Sequence, residues 1–188
     1  INNQYFKSEA GIENLAFAYQ IVKNLKISDK IIIRAINRFK GLPHRQEVIL
    51  SNKKLLCIND SKATSFDACL QSLLNYNKIY WIVGGIPKYH DHFYLQKVKK
   101  KILKAYIVGK NVSFFKKQIA KNIPYTVSKN IRNAVNDVYK DLKLSENLKK
   151  TILLSPAAAS FDQFDNFENR GTHFKNLIIR KFRNKFNV

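Results

Sequence analysis

The segment LLSPAAASFDQFDNFENRG, at residues 153–171, indicates the fold of this chain more clearly than any other stretch. An apolar strand ends at Ser155-Pro156, three alanines and Ser160 follow, and a polar, aromatic run restarts as a helix. A strand, a tight loop and a helix form the ligand site at the carboxyl end of a strand in an α/β sheet. Small side chains let a ligand approach the backbone, and a helix amino terminus offers N–H groups to an anion. The segment therefore predicts an α/β fold with a ligand loop here.

Outward from this segment, short apolar runs alternate with stretches of helical periodicity. Strands are predicted at residues 45–50, 54–58, 79–83, 105–108, 125–127 and 151–154. Helices are predicted at residues 65–76, 93–103, 113–121, 131–142 and 167–182. Such alternation is typical of a mostly parallel sheet with helices on both faces.

The first forty residues differ from the rest, because they contain helical patterns only. Helices are predicted at residues 12–24 and 29–39, with Ser28 as the N-cap of the second helix. Gly41-Leu42-Pro43 then interrupts the helical pattern. We therefore expect a domain boundary here, with a helical piece at residues 1–41 and an α/β domain at residues 42–188.

The composition is that of a globular protein with an apolar core. The 188 residues are 45% hydrophobic, and no apolar run reaches the ~20 residues of a membrane span. Cys57 and Cys69 fall within a predicted strand and a predicted helix, so buried free thiols in an intracellular protein are expected. The chain begins with Ile1 and contains no methionine, and we expect that further residues precede it.

The net charge of +21 suggests two interpretations. A strongly basic chain is typical of proteins that bind nucleic acid or anionic membranes. The alternative is compositional bias, since lysine, asparagine, isoleucine, phenylalanine and tyrosine are all abundant. The lysines are spread along the chain, with one dense run at residues 97–104, and no nucleic-acid-binding motif accompanies them. We favour bias, and a non-catalytic basic domain that binds nucleic acid is the competing hypothesis.

The loop at the beginning of the α/β domain and the loop after the second strand carry groups suited to a nucleotide. Arg45 has the forked shape that grips a phosphate, although it is equally compatible with a solvated linker. Asp60, Lys62 and Thr64 alternate, and we expect them to point to one side of an extended loop. A carboxylate there would accept from a ribose hydroxyl and a lysine would meet a phosphate. The alternative is that Asp60 or Thr64 caps the next helix.

The loop after the third strand contains Gly84-Gly85, which permits positive φ and close backbone approach, and then Lys88. This lysine is suited to a carboxylate or a phosphate. His90 and His92 lack further ligand residues nearby, so we predict surface histidines and no metal site. The phosphate-binding motif GxxxxGK[ST] occurs nowhere in the 188 residues.

Four segments together resemble the Mur ligases of peptidoglycan synthesis, and within them the group that adds D-glutamate to UDP-N-acetylmuramoyl-L-alanine. These segments are residues 41–45, 59–64, 84–88 and 155–171, in matching order and spacing. The resemblance extends from about residue 11 to the end of the chain. It implies that residues 1–41 are the tail of a central ATPase domain. Residues 42–188 would be the complete Rossmann-like C-terminal domain, which brings in the amino acid.

The resemblance implies an ATP-dependent ligase that forms an amide bond through an acyl phosphate. ATP and magnesium would serve the full-length enzyme, while this chain alone would hold neither. The P-loop, the magnesium ligands, a modified lysine and the catalytic residues are expected upstream. The chain is therefore predicted to be inactive alone. A cytoplasmic, monomeric cell-wall enzyme without a membrane partner is implied.

The resemblance also implies two groups of ligand residues. The ATP contacts would be Asn14, Arg45, Asp60 and Lys62. The D-glutamate contacts would be Thr64, Lys88, Ser160, Phe161 and Phe167, although both phenylalanines are equally compatible with a core position. Two departures from the family pattern are Ala10-Gly11 in place of His-Asn and Ser65 in place of asparagine. Structural roles are predicted for three further residues: Asp162, Glu168 and Arg170.

Overall fold

The computed structural model describes residues 3–6, 9–143 and 149–182. Its internal contacts divide the chain into two compact units, Ile1–Leu42 and Pro43–Val188. The division falls one residue after the boundary expected from the sequence. The assignment of each unit to a ligase domain stays a prediction.

The first unit contains α1 (Glu9–Asn24) and α2 (Asp29–Arg38), preceded by a short 3-10 turn at Gln4–Phe6. The side-chain amide of Asn3 closes the unit, because it donates to the backbone oxygens of Ile36 and Phe39, both at 2.7 Å. Ser28 precedes α2 in an extended conformation, but its side chain makes no capping hydrogen bond. Phe17 on α1 is 72% exposed.

The second unit is built on one six-stranded sheet. Its strands are β1 (Glu47–Ser51), β2 (Leu55–Asn59), β3 (Ile79–Gly84), β4 (Ile102–Val108), β5 (Tyr125–Lys129) and β6 (Lys150–Leu154). Their order across the sheet is β1-β2-β6-β3-β4-β5. Among the described strands, only β1 runs antiparallel to its neighbour, and the other adjacent strands are parallel. The mostly parallel sheet predicted from the sequence is confirmed.

Helices cover both faces of this sheet, as predicted. They are α3 (Phe66–Asn75), α4 (Val112–Ile119), α5 (Ile131–Lys143) and α6 (Phe167–Phe182). One core cluster joins α3 and α4 to the sheet, and a second joins α5 and α6 to the opposite face. Every residue of β3 is buried, and alternate residues face opposite sides: Trp81 belongs to the first cluster and Tyr80 to the second. Cys57 and Cys69 are buried free thiols, as expected.

The predicted helix at residues 93–103 is wrong. Two short 3-10 turns, Leu95–Lys97 and Lys99–Lys101, occupy this segment, and β4 already begins at Ile102. The strand starts early because Ile102 pairs with Ile79 at the beginning of β3. Apolar side chains of the segment that suggested a helical face are instead buried in the core: Phe93, Leu95 and Val98.

The topology gathers the loops that follow the parallel strands. Because β6 lies between β2 and β3, the loop after β6 is flanked by the loops after β2 and β3. Parallel strands end at the same edge of a sheet, and ligands of open α/β sheets bind beyond that edge. Within the described residues, no helix is long and apolar enough to cross a membrane.

Candidate functional site

Backbone hydrogen bonds hold the loop after β3 against the loop after β6. The N–H of Gly84 donates to the oxygen of Pro156 at 2.9 Å, and Ile86 and Ala159 exchange two hydrogen bonds of 2.9 Å. The approach requires glycine at position 85, because a Cβ there would lie 2.2 Å from the Ala159 oxygen. The segment that carries Lys88 is therefore fixed beside the segment that carries Ser160.

Arg170 on α6 joins the loop after β2 to the loop after β6. Its guanidinium donates to the Ser61 hydroxyl at 2.9 Å, to the Ser61 backbone oxygen at 2.7 Å and to the Ala158 oxygen at 2.9 Å. The side chain is buried, and burial lowers the pKa of Arg170 to about 10, so it keeps its charge at neutral pH. The predicted structural role of Arg170 is confirmed.

Asp60 lies inside the fold and not on the loop surface. Its carboxylate accepts from the hydroxyls of Ser72 at 2.6 Å and Ser155 at 2.8 Å, and from the Gln46 N–H at 3.2 Å. Burial raises the pKa of Asp60 to about 6, although these hydrogen bonds and the charge of Arg45 oppose that shift. The carboxylate thereby ties the end of β2 to α3 and to the end of β6. Its predicted contact with a nucleotide stays a prediction.

Lys62 points elsewhere, toward the first residue of α6. Its Nζ lies 4.3 Å from the centroid of the Phe167 ring, which is a cation–π contact. The expectation that Asp60 and Lys62 share one side of an extended loop is wrong. The chain turns at this point, because the Ala63 N–H donates to the Asp60 oxygen at 3.0 Å. Half-buried Phe167 is therefore a packing residue, and its predicted contact with D-glutamate stays a prediction.

A polar cluster holds the loop at the beginning of the second unit. The sequence alone did not reveal this cluster. The Asn59 amide nitrogen contacts His44 Nδ1 at 2.9 Å and the Glu47 carboxylate at 3.0 Å. Lys175 on α6 donates to the same carboxylate. Burial raises the pKa of Glu47, but the hydrogen bonds from Lys175, His44 N–H and Asn59 outweigh it and leave the pKa below its ordinary value. This cluster fixes the loop on which Arg45 is exposed.

The predicted D-glutamate contacts differ in exposure. Lys88 is exposed and has no ion-pair partner in the described part of the chain. Ser160 is buried, and its hydroxyl has no hydrogen-bond partner among residues 3–6, 9–143 and 149–182. Thr64 is half-buried, while Phe161 is 70% exposed and therefore not a core aromatic. A hydroxyl and an exposed ammonium are both groups that suit a ligand with a carboxylate.

The predicted ATP contacts are divided between the two units. Arg45, Asp60 and Lys62 belong to the second unit, whereas Asn14 lies on α1 of the first unit, where it is exposed. Arg45 and Lys62 are the cations near the end of β2 that suit phosphate groups. The described residues contain no group of three histidine, cysteine or carboxylate side chains that would hold a metal ion.

Several known proteins are similar to this chain in sequence, and the two described below carry the same name. UDP-N-acetylmuramoylalanine--D-glutamate ligase from Wolbachia sp. subsp. Brugia malayi (strain TRS) is 37% identical over 176 residues, 94% of this chain and 35% of that protein. The enzyme of that name from Rickettsia felis is 35% identical over 178 residues, 95% of this chain and 40% of that protein. The chain thus spans 35–40% of the length of these relatives. No protein-family model matches it.

Solved structures support the same fold at low sequence identity. MurF from Acinetobacter baumannii superposes with a TM-score of 0.62 at 15% identity, covering 92% of this chain and 37% of that one. UDP-N-acetylmuramate-alanine ligase MurC from Thermotoga maritima superposes with a TM-score of 0.58 at 12% identity, covering 90% of this chain and 37% of that one. Both likenesses concern the fold alone.

Proposed function

This chain belongs to the Mur ligase family, and from that premise we propose that it forms the D-glutamate-binding part of an ATP-dependent ligase. The complete enzyme would join D-glutamate to UDP-N-acetylmuramoyl-L-alanine in peptidoglycan synthesis, in the cytoplasm and as a monomer. The observation that carries the proposal is the pair of backbone hydrogen bonds between Ile86 and Ala159. These bonds hold the segments that carry Lys88 and Ser160 side by side.

The chemistry of D-glutamate matches this arrangement. The amino acid presents two carboxylates and one amine, and only the amine reacts. The Lys88 ammonium would pair with a carboxylate, because no described carboxylate of the protein occupies it. The hydroxyls of Thr64 and Ser160 would donate to the same ligand, and the exposed Phe161 and half-buried Phe167 would border it. Binding through the carboxylates leaves the amine directed outward.

The reaction would then proceed at the open edge of the sheet. The amine attacks the acyl carbon of the phosphorylated UDP-N-acetylmuramoyl-L-alanine, a C–N bond forms, and the bond to the phosphate oxygen breaks. The amine loses a proton and phosphate leaves. Arg45 and Lys62 would neutralise phosphate charge, and Asn14 would contact adenine. ATP and magnesium would serve the complete enzyme, and the groups that activate ATP are expected outside these 188 residues.

Calorimetric titration with D-glutamate and with L-glutamate tests the proposal. We expect the 188-residue chain to bind D-glutamate in preference to L-glutamate. Lys88→Ala should weaken D-glutamate binding by about tenfold or more, because a charge-assisted hydrogen bond is lost. Lys121→Ala is the matched control, since this exposed lysine follows α4, away from the carboxyl ends of the strands. Equal binding of both enantiomers, or equal losses in both variants, would contradict the proposal.

A further inference from the structure

The segment that carries Lys88 is anchored at both of its ends. Ile86 is joined to Ala159 by two backbone hydrogen bonds. At the other end, the ring of Phe93 stacks on the ring of Phe66 with centroids 4.4 Å apart. Between these anchors the side chains are exposed, except for half-buried Pro87 and Asp91. The position of Lys88 therefore depends on what holds the middle of the segment.

Asp91 holds that middle part on the start of α3. Its carboxylate accepts from the N–H of Phe66, the first residue of the helix, at 2.9 Å. The helix's own N-cap contributes less, since the Ser65 hydroxyl accepts from Ala68 N–H at 3.5 Å. A carboxylate at a helix amino terminus also interacts favourably with the helix dipole. The helix is thus capped from a different loop, and the cap fastens that loop to the helix.

Further contacts fix the backbone around Asp91. Its N–H donates to the Lys88 oxygen at 3.2 Å and closes a turn that includes His90, whose φ is 65°. Gln118 on α4 accepts from the Phe93 N–H at 3.3 Å and donates to the Asp91 oxygen at 3.4 Å. The Lys88 ammonium makes no ion pair in the described part of the chain.

We propose that Asp91 is a positioning residue, which holds the Lys88 segment against the start of α3 and so keeps Lys88 near Thr64. Thr64 lies two residues before Phe66, to whose N–H Asp91 is bonded. The Asp91 carboxylate thereby sets the separation of Lys88 and Thr64, which would bind one carboxylate of the ligand. The identity of that ligand rests on the proposed function, whereas the positioning itself rests on the contacts of Asp91.

Three variants of the 188-residue chain test this role. Asp91→Ala removes the acceptor, and Asp91→Asn keeps one acceptor oxygen without the charge. Asp67→Asn is the matched control, because Asp67 also lies in the first turn of α3 but is exposed. The two readouts are amide hydrogen exchange across residues 86–93 and D-glutamate affinity by calorimetry. Exchange in β3 and β6 reports whether a variant has lost its overall fold.

We expect Asp91→Ala to speed exchange of the Phe66 amide and of residues 86–93 by about tenfold, and to weaken D-glutamate binding by a similar factor. Exchange in β3 and β6 should stay unchanged. Asp91→Asn should recover most of both properties, and Asp67→Asn should resemble the unmodified chain. Unchanged exchange of residues 86–93 in Asp91→Ala would overturn the positioning role. Absence of D-glutamate binding by the unmodified chain would instead contradict the proposed function, and the exchange result would still decide the role of Asp91.

Discussion

Asp60 and Arg170 are buried ionisable side chains that contact the loops after β2 and β6. Each of them makes its hydrogen bonds to uncharged groups. Asp60 accepts from two hydroxyls and one backbone N–H. Arg170 donates to one hydroxyl and two backbone oxygens. A buried charge is costly unless its hydrogen bonds are made, so each residue forces its partners into one arrangement. The exact positions of the loops after β2 and β6 thus depend on these two residues.

Arg170→Ala should lower the free energy of unfolding by about 3 kcal/mol, because the backbone oxygens of Ser61 and Ala158 lose their donor inside the fold. Arg170→Lys should recover little of the lost free energy of unfolding, because an ammonium lacks the forked geometry of the guanidinium. Arg180→Ala, at an exposed position on the same helix, should change stability by less than about 0.5 kcal/mol. Urea unfolding measures all three. A stable Arg170→Ala variant would show that the bridge contributes little.

Asp60 should make stability fall as pH rises. Its pKa is raised from 3.8 to about 6, so the folded state favours the protonated carboxyl. The resulting stabilisation is fully present below pH 3.8 and is lost as pH rises through about 6. Since one pKa unit corresponds to about 1.4 kcal/mol, the unmodified chain should lose up to about 3 kcal/mol relative to Asp60→Asn. Unfolding measured for both chains across this pH range checks the difference. If the free energies of unfolding of the two chains changed equally with pH, the result would argue against a raised pKa of Asp60.

At the scale of elements, the contact between the turn after β3 and the loop after β6 brings the candidate ligand residues together. Gly84 and Gly85 have φ of 137° and 136°, which favours glycine. A Cβ at Gly84 would lie 1.9 Å from the Val108 oxygen, so the turn is also close to β4. The second glycine faces Ala159 in the same manner. No side chain larger than hydrogen fits at either position.

Gly85→Ala should therefore destabilise the domain by about 3 kcal/mol, from backbone strain and from displacement of the Ala159 oxygen. It should also abolish the slow amide exchange of Ile86 and Ala159, which depends on their paired hydrogen bonds. Lys110→Ala is the control, since Lys110 is exposed and follows β4 at the same edge of the sheet. Amide exchange combined with urea unfolding measures both effects. Protected Ile86 and Ala159 amides in Gly85→Ala would contradict this view of the turn.

The sequence allowed most elements to be predicted, because each strand and helix of the core has its own periodicity. The last helix, Phe167–Phe182, matches the prediction at both ends. The helix expected at residues 93–103 failed because the pairing of Ile102 with Ile79 is a tertiary contact that local spacing does not reveal. The same limit applies to the site. Asp91, Glu47 and Asn59 act through partners that are distant in sequence, so their roles became visible only in the fold.

At the scale of the whole molecule, the net charge of +21 bears on association with nucleic acid. The comparisons with known proteins give no support to a nucleic-acid-binding function. We expect association with nucleic acid to be nonspecific, with an affinity that falls steeply with salt. Fluorescence anisotropy with labelled RNA and DNA should show no sequence preference and no binding at about 150 mM salt. Sequence-selective binding that persists at this salt concentration would revive the competing hypothesis.

The chain spans 35–40% of the length of its ligase relatives, and this share bears on what it does by itself. It carries groups that suit an amino acid and the phosphates of a nucleotide, but its described residues hold no metal cluster and its sequence no P-loop motif. The isolated chain is suited to test the proposed binding of D-glutamate.

Mapping of D-glutamate onto the chain by two-dimensional amide NMR tests the central proposal most directly. We predict that D-glutamate shifts the amide signals of Thr64, Lys88 and Ser160 and of the residues beside them. L-glutamate at the same concentration should shift these signals much less, and signals from the amino ends of the strands should not move. Equal shifts with both enantiomers, or shifts confined to another part of the domain, would contradict the assignment of this edge of the sheet to D-glutamate.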